Sequence, residues 1–477
     1  MIQAVKLTVD KGVVDLTLNA IYEAEVHSPS LVKLTKTLLG QLKQQCPLKT
    51  GTKVAVRLTK ITLPHHLELE VISESYDVVA PKHTFLIKSA TLQKMEQQFS
   101  EAADLIKQAI CNGDPILIRH HADCDGYVAA IALEKAITPL IQKKNQTSIW
   151  RYLRRLPSRV PYYDYSDALK DLHLVHKDLQ MGKSPLIILA DKGSTDQSLL
   201  ALKKLRLYNM QVLIIDHHQP SFSNGVPIVG SYANVFINPH LVGADYNLTA
   251  GMLGVELGLI IKNTENIAHM AAIAGFADKS QGDEFEQYKA LAVSRGYTPE
   301  VLDAIAQAVD FEAFYLGFTE SRIMEDLLTD KIEPTKQRVA PLTSEIACRK
   351  EALLRAITKY ATKTCFKDFD LVKLKVFDFY LKGDYPPPGK LVGIAFDSFK
   401  ANNKPVVVLG IGRGFITIRS NYTKFSINTL LEEMAQSIDH ALIGGGGHEV
   451  AGTLQYAEAA EAEILAYIEH HLTNELA

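Results

Sequence analysis

The chain has 477 residues, 47% of them hydrophobic and 22% charged, with a formal net charge of −3. That length exceeds one ordinary core and points to roughly two to four domains, while the composition excludes bulk disorder. The charge excludes a protein that coats nucleic acid by bulk electrostatics, so any such contact must come from local patches. No run of about 18 apolar residues occurs, which argues against a membrane span. The first stretch, MIQAVKLTVDKGVVDLTLN, lacks the unbroken apolar core of a signal peptide. The five cysteines (Cys46, Cys111, Cys124, Cys348, Cys365) are scattered without a C-x-x-C pair. They suit reduced thiols in a cytoplasmic protein, with no disulfide framework and no structural zinc.

In chain order, AVKLTVD, VVDLTLN, TKVAVRL and HLELEVI alternate with period two and predict strands, while SLVKLTKTLLGQL (residues 30–42) has helical spacing. Residues 1–88 therefore read as a β-rich domain, an OB-like barrel or a ββαββ sandwich. An amphipathic helix follows, with Leu92, Met95, Phe99, Ile106 and Ile110 on one stripe. From residue 114 the pattern is α/β. PILIR, PLIILA and VLIID are short continuous apolar runs, each followed by loop and helix-like sequence, as buried parallel strands require. Residues 89–295 form the expected parallel-sheet domain and 296–382 a mainly helical connector. Beyond the rigid break GDYPPPGK, residues 383–477 read as a smaller α/β domain. KLVGIAFDSF, KPVVVLGIG and FITIRSN are its expected strands, 426–440 its helix, and GGGGHEVAGT follows.

Three strands end in ionisable groups: His121, Asp123 and Asp125 after the first, Asp191 after the second, and Asp216, His217 and His218 after the third. Ligands gather at the carboxyl edge of an open parallel sheet, so these groups should converge there. Asp278, ending a small-residue helix, is a fourth candidate. Taken singly, a D-x-D-G is commonly a turn and Asp278 a helix cap. Together, carboxylates and imidazoles without thiolates suit Mn²⁺ or Mg²⁺, and more than four such ligands suggest two ions about 3.5–4 Å apart sharing a carboxylate. Two ions lower the pKa of a bridging water and clamp an in-line displacement at phosphorus. Without cations such a cluster would repel itself.

Residues 135–163 carry seven Lys/Arg and no acid, with Trp150, Tyr152, Tyr162 and Tyr163 interleaved. A groove that follows phosphates and stacks bases needs those residue types. Trp150, Arg151, Arg154, Arg155 and Arg159 are the candidate strand path; a solvated strand and loop is the competing reading.

The motif set resembles the DHH phosphoesterase superfamily, and more closely its RecJ-like nucleases of the archaeal type. His121-Ala-Asp123-Cys-Asp125-Gly126, Asp191 in DKGS, Asp216-His217-His218 and Asp278 match its four motifs in order. Arg419-Ser420 and the glycine run before His448, Ala451 and Gly452 resemble the signature of the DHH-associated C-terminal domain, with Val450 where that pattern has Ala. The resemblance implies one ion on His121, Asp123 and Asp191 and a second on Asp125, Asp191, His217 and Asp278. It gives Asp216 an orienting role and His218 a place at the scissile phosphate. Arg419, Ser420, His448 and the N–H groups of Gly445, Gly446 and Gly447 would grip the strand. Taken alone, the glycine run also reads as a flexible linker. Asn238, His240 and Thr249 are looser matches that would line the cleft.

The implied function is a two-metal exonuclease on single-stranded DNA or RNA, with roles in DNA repair or replication and a GINS-like replication complex as a candidate partner. The alternatives are a hydrolase of short oligonucleotides, cyclic dinucleotides or phosphoadenosine phosphate, and a replication scaffold. The full ligand set favours catalysis over the scaffold, and the extra N-terminal and helical segments favour a polymeric substrate.

Overall fold

The computed structural model describes residues 84–475 except 145–148, 265, 318, 320–321, 330, 380–382, 401–403 and 449, and the strand backbones within residues 1–83. β1 (Ala4–Val9) and β2 (Gly12–Thr17) form an antiparallel pair. β3 (Ile21–Ser28), β4 (Leu31–Lys33), β5 (Leu39–Leu42), β6 (Lys53–Thr62) and β7 (His66–Glu74) close into a barrel of order β3-β4-β5-β7-β6, with β5 and β7 parallel. The helix expected over residues 30–42 is therefore replaced by β4 and β5, which pair with each other. Cross-strand hydrogen bonding inside a closed barrel outweighs helical spacing in a stretch that carries Val32 and Gly40.

α1 (Ala90–Lys94) and α2 (Glu96–Asn112) lead into β8 (Ile116–His121), α3 (Cys124–Lys144), β9 (Leu153–Ser158), α4 (Tyr165–Gln180), β10 (Leu186–Ala190), α5 (Leu199–Leu207) and β11 (Gln211–Ile215). A two-residue hairpin, β12 (Phe222–Ser223) and β13 (Val226–Pro227), precedes β14 (Val235–Ile237). The five longer strands form one sheet of order β14-β11-β10-β8-β9, parallel at every pairing. β10, most of β11 and the first half of β8 are apolar on both faces because both are covered. Ile116, Ile118, Ile188, Leu213 and Ile215 enter the core that includes α2 and α3, while Leu117, Ile187, Leu189, Val212 and Ile214 enter the core under α4 and α5.

α6 (Ala250–Ile261), α7 (Met270–Ala277), α8 (Asp283–Ser294), α9 (Pro299–Leu316), α10 (Ile323–Thr329) and the long α11 (Ile332–Tyr360) follow. The C-terminal unit comprises β15 (Thr362–Cys365), β16 (Asp370–Lys375), α12 (Pro388–Phe399), β17 (Val406–Gly412), β18 (Phe415–Ser420), α13 (Ile427–Ser437), β19 (Gly444–His448), β20 (Ala451–Gln455) and α14 (Glu461–His470). Its sheet has order β15-β16-β17-β18-β20-β19, so residues 362–375 belong to it and a boundary at residue 383 falls inside its first crossover. The strand expected at KLVGIAFDSF is instead α12, with Pro388 in its first turn and Leu391, Val392 and Ala395 buried on one side. Proline fixes the helical φ where its missing N–H costs nothing, and the run of apolar residues fits either element.

Candidate metal centre

Each candidate ligand sits where the backbone leaves a core element. His121 is the last residue of β8, and Asp123 and Asp125 flank Cys124, the first residue of α3. The tight return requires Gly126, where a Cβ would lie 2.2 Å from the His121 carbonyl oxygen. Asp191 follows β10 with φ of 56°, a left-handed conformation that Asp tolerates better than most residues. Its N–H donates to Ile215 O at 2.8 Å, which pins the second loop to the third strand. Asp216, His217 and His218 follow β11, and Asp278 caps the C-terminus of α7.

These groups converge. Nδ1 of His121 lies 2.8 Å from Asp123 Oδ2 and 3.2 Å from Asp191 Oδ2. Nε2 of His217 lies 3.4 Å from Asp191 Oδ1, 3.3 Å from Asp278 Oδ2 and 3.8 Å from Asp125 Oδ2. Two clusters result, His121/Asp123/Asp191 and Asp125/His217/Asp278, with Asp191 in contact with both. A third grouping joins His218 to Asp191 and His217.

The residues fit divalent cations. Ligand atoms bound at about 2.0–2.2 Å stand roughly 3 Å apart around an ion, the spacing found here. Among the described residues, Asp125 Oδ2 and Asp191 Oδ1 are buried without hydrogen-bond partners, an arrangement that costs free energy unless a cation completes it. His217 Nδ1 donates to Tyr246 O at 2.7 Å, which fixes the tautomer and presents Nε2 to the carboxylates. The Cys124 thiol, pushed well up by burial and then by Asp310 and Asp123, is no thiolate ligand.

The electrostatics agree. Burial, with the charges of Asp278 and Asp191, pushes the Asp125 carboxyl well above the carboxylate range, and burial carries Asp278 up to about 7. Burial opposes charge on His121 and His217, yet the neighbouring carboxylates raise both well above the usual imidazole value. Protons thus do provisionally what cations do in full, and binding cations expels them.

Asp216 is fully buried and its carboxylate is committed: Oδ1 accepts from His217 N–H, His218 N–H and His218 Nδ1, and Oδ2 from Ser194 N–H at 2.9 Å. Although burial opposes charge, His218 and these donors hold Asp216 well below the ordinary range. It shapes the loop and orients His218, whose Nε2 points away from it. Asn238 braces the same loop, donating to Ser194 Oγ and His218 O, each at 2.9 Å, and Thr249 caps α6; both are buried. His240, half-buried, follows Asn238, whose Oδ1 accepts the His240 N–H at 3.0 Å.

Three contributors carry no sequence motif of their own: Gly251 N–H on Asp125 Oδ1 at 2.8 Å, the Tyr246 carbonyl on His217, and Asp310 Oδ1, which accepts the Cys124 N–H at 2.9 Å. A backbone amide or carbonyl is supplied by any residue type, so only the fold reveals the first two.

In the C-terminal unit, Gly445, Gly446 and Gly447 lie on the edge strand β19, whose outer side has no strand partner among the described residues. Gln197 Nε2, from the loop after Asp191, donates to Gly445 O. The register Arg419↔Ala451↔His448 places Arg419 and His448 across one row of the sheet; the His448 side chain lies outside the described residues. Ser420 is buried, and its Oγ accepts the Tyr422 N–H at 3.0 Å.

The strand path expected at residues 150–159 is corrected. β9 runs parallel to β8, with Leu153 beside Ile116 and Ser158 beside His121. Trp150, Arg151 and Arg154 therefore sit toward the amino edge, roughly 16 Å of strand from the centre. Arg155 is buried, bonded to Glu134 Oε2 at 2.7 Å. Arg159 alone of the five is exposed on the side of the centre.

The profile of the DHH family, N-terminal domain, matches residues 115–271. An uncharacterized protein of Methanocaldococcus jannaschii is 36% identical over 414 residues, 80% of this chain and 54% of the relative, so the chain spans about half the length of that curated relative. Among solved structures, the DHH domain of a member of a ribosomal-protein family superposes with a TM-score of 0.78 at 33% identity, covering 83% of this chain and 94% of that one. RecJ from Thermus thermophilus in complex with Mn²⁺ matches with a TM-score of 0.55 at 19% identity, covering 79% of this chain and 54% of that one. An exonuclease RecJ bound to manganese gives 0.52 at 19% identity, covering 79% and 94%. At that identity the two RecJ structures speak to the fold alone. With the DHH profile over the loops that bear His121 to His218 and a DHH domain matched along nearly its whole length, the chain belongs to the DHH family, in a RecJ-like fold.

Proposed function

We propose that the chain is a two-metal phosphodiesterase, an exonuclease that releases nucleotides from single-stranded DNA or RNA. The observation that carries this reading is the pair of acid–imidazole clusters that share Asp191. His121, Asp123 and Asp191 would hold one Mn²⁺ or Mg²⁺, and Asp125, Asp191, His217 and Asp278 the other. Bound there, the ions supply an activated water and neutralise charge at phosphorus. His218, oriented by Asp216, faces the scissile phosphate and stabilises charge or delivers a proton. Gly445 and Gly447, on an edge strand facing Gln197, offer backbone N–H groups to the phosphates, with Gly446 between them turned to β20, because without a Cβ the chain can approach closely. Arg419 adds a cation and His448 lies in the same row. Arg159 is what remains of the expected strand path.

A reduced, cytoplasmic setting accords with cysteines free of disulfides among the described residues, and no described helix is long and apolar enough to cross a membrane. Work on single strands in DNA repair or replication, with a GINS-like complex as a partner, completes the reading. Digestion of 5′- and 3′-labelled single-stranded DNA and RNA with Mn²⁺, Mg²⁺ or EDTA tests it. A ladder or mononucleotide product that EDTA abolishes is expected; no metal-dependent product from any of the four substrates refutes the nuclease.

A further inference from the structure

Among the described residues, three polar contacts of the C-terminal unit with the catalytic domain each lead to a metal-bearing loop. Gln197, six residues after Asp191, bonds Gly445 O. Lys279, next to Asp278, bonds Asp397 of α12 at 2.8 Å. Lys390, in the first turn of α12, bonds Asp310 Oδ2, whose other oxygen holds the Cys124 N–H between Asp123 and Asp125. These contacts are not equal. The Lys279 and Asp397 side chains are 72% and 51% exposed, and such a pair contributes little. Asp310 is buried, and the segment leading to Lys390 is packed beside it: Tyr385 lies 5.0 Å from the Phe311 ring and 5.8 Å from Phe314, and its N–H donates to Tyr315 Oη.

We propose that Lys390 and Asp310 are a positioning pair that couples strand binding by the C-terminal unit to ion binding by the His121–Asp125 loop. Asp310 is the only side chain found on the amide between two ligands of that loop, and Lys390 is the only cation paired with Asp310, among the described residues. Remove Lys390 and a buried carboxylate is left, among the described residues, with one backbone donor; it then shifts toward water, and the Cys124 amide loses its fixed acceptor. A strand that bridges the two domains would hold Lys390 on Asp310, stiffen the loop and tighten the ion. By linkage the ion tightens the strand by the same factor. The strand half of this coupling rests on the nuclease reading; the ion half does not.

The test is Mn²⁺ titration of the full chain by calorimetry, first alone and then with a saturating phosphorothioate oligonucleotide that resists cleavage. Wild type, Lys390→Met, Lys390→Arg and Asp310→Asn are compared, with thermal melts to confirm folding. In the wild type the oligonucleotide should tighten Mn²⁺ about tenfold. In Lys390→Met that gain should vanish and Mn²⁺ alone should bind several-fold more weakly, with Lys390→Arg recovering most of both and Asp310→Asn resembling Lys390→Met. A pair that merely staples the domains would lower the melting temperature and leave Mn²⁺ affinity unchanged. Lys390→Met with wild-type Mn²⁺ affinity and wild-type enhancement overturns the proposal. If the oligonucleotide binds no variant, the nuclease reading fails and the Mn²⁺-only comparison still decides the pair.

Discussion

Gly126→Ala tests how the metal loop is built. The added Cβ would stand 2.2 Å from the His121 carbonyl oxygen and 2.9 Å from its carbon, backbone atoms that cannot rotate aside. Ordinary carbon–oxygen contact begins near 3.3 Å, so the start of α3 and the end of β8 must part by about 1 Å. Such overpacking costs about 1–3 kcal/mol of stability. The effect on the centre is larger, because ligand distances must hold within about 0.2 Å and the shift moves His121 against Asp123. One ion should be lost, and turnover should fall about 100-fold or more. Calorimetric Mn²⁺ titration counts the ions and a labelled oligonucleotide gives the rate. Gly393→Ala is the control: that glycine lies in α12 with open space around its Cα, so stability should stay level or rise slightly. If Gly126→Ala binds two Mn²⁺ with wild-type affinity, α3 can back away without disturbing the ligands and the reasoning is refuted.

Asp191→Ala should abolish turnover, since it removes a ligand from both clusters; near-normal rates in saturating Mn²⁺ would exclude a shared carboxylate. Glu256→Gln probes a buried carboxyl remote from the ligands, which accepts from Leu86 N–H and Tyr288 Oη–H and which burial lifts to about 7. The folded state keeps this proton where the unfolded state releases it, so stability is full below about pH 4.5 and falls by about 3 kcal/mol as pH rises through 7. The amide has no such proton, so the variant should flatten the slope of chemical-denaturation stability between pH 5 and 8; an unchanged slope would assign that slope to other groups.

Much of the centre was legible because its candidate ligands lie in short local motifs at the ends of apolar runs. The parallel sheet converts that chain order into one edge in space, and His121, Asp123, Asp125, Asp191, His217 and Asp278 meet there. What stayed hidden depends on contacts distant in sequence. Asp310 lies 186 residues from Cys124 and belongs to a helix with no motif, and the Gly251 amide and Tyr246 carbonyl have no side-chain signature. Residues 390–399 and 30–42 misled for the opposite reason: short apolar runs satisfy strand and helix alike, and the neighbours decide. Arg155 shows the limit of charge counting, since its guanidinium is neutralised inside the core by Glu134.

The β12–β13 hairpin turns through Asn224 and Gly225, with φ of 52° and 77°, the two-residue geometry that suits an exposed reversal. It stands six residues beyond His218 yet supplies no ligand, and a Cβ on Gly225 would meet nothing within 4 Å. A fluorophore or short peptide grafted there would displace no side chain within 4 Å of that Cβ. The molecule thus carries a natural mounting point for a reporter, close in sequence to the third acidic loop and apart from every candidate ligand.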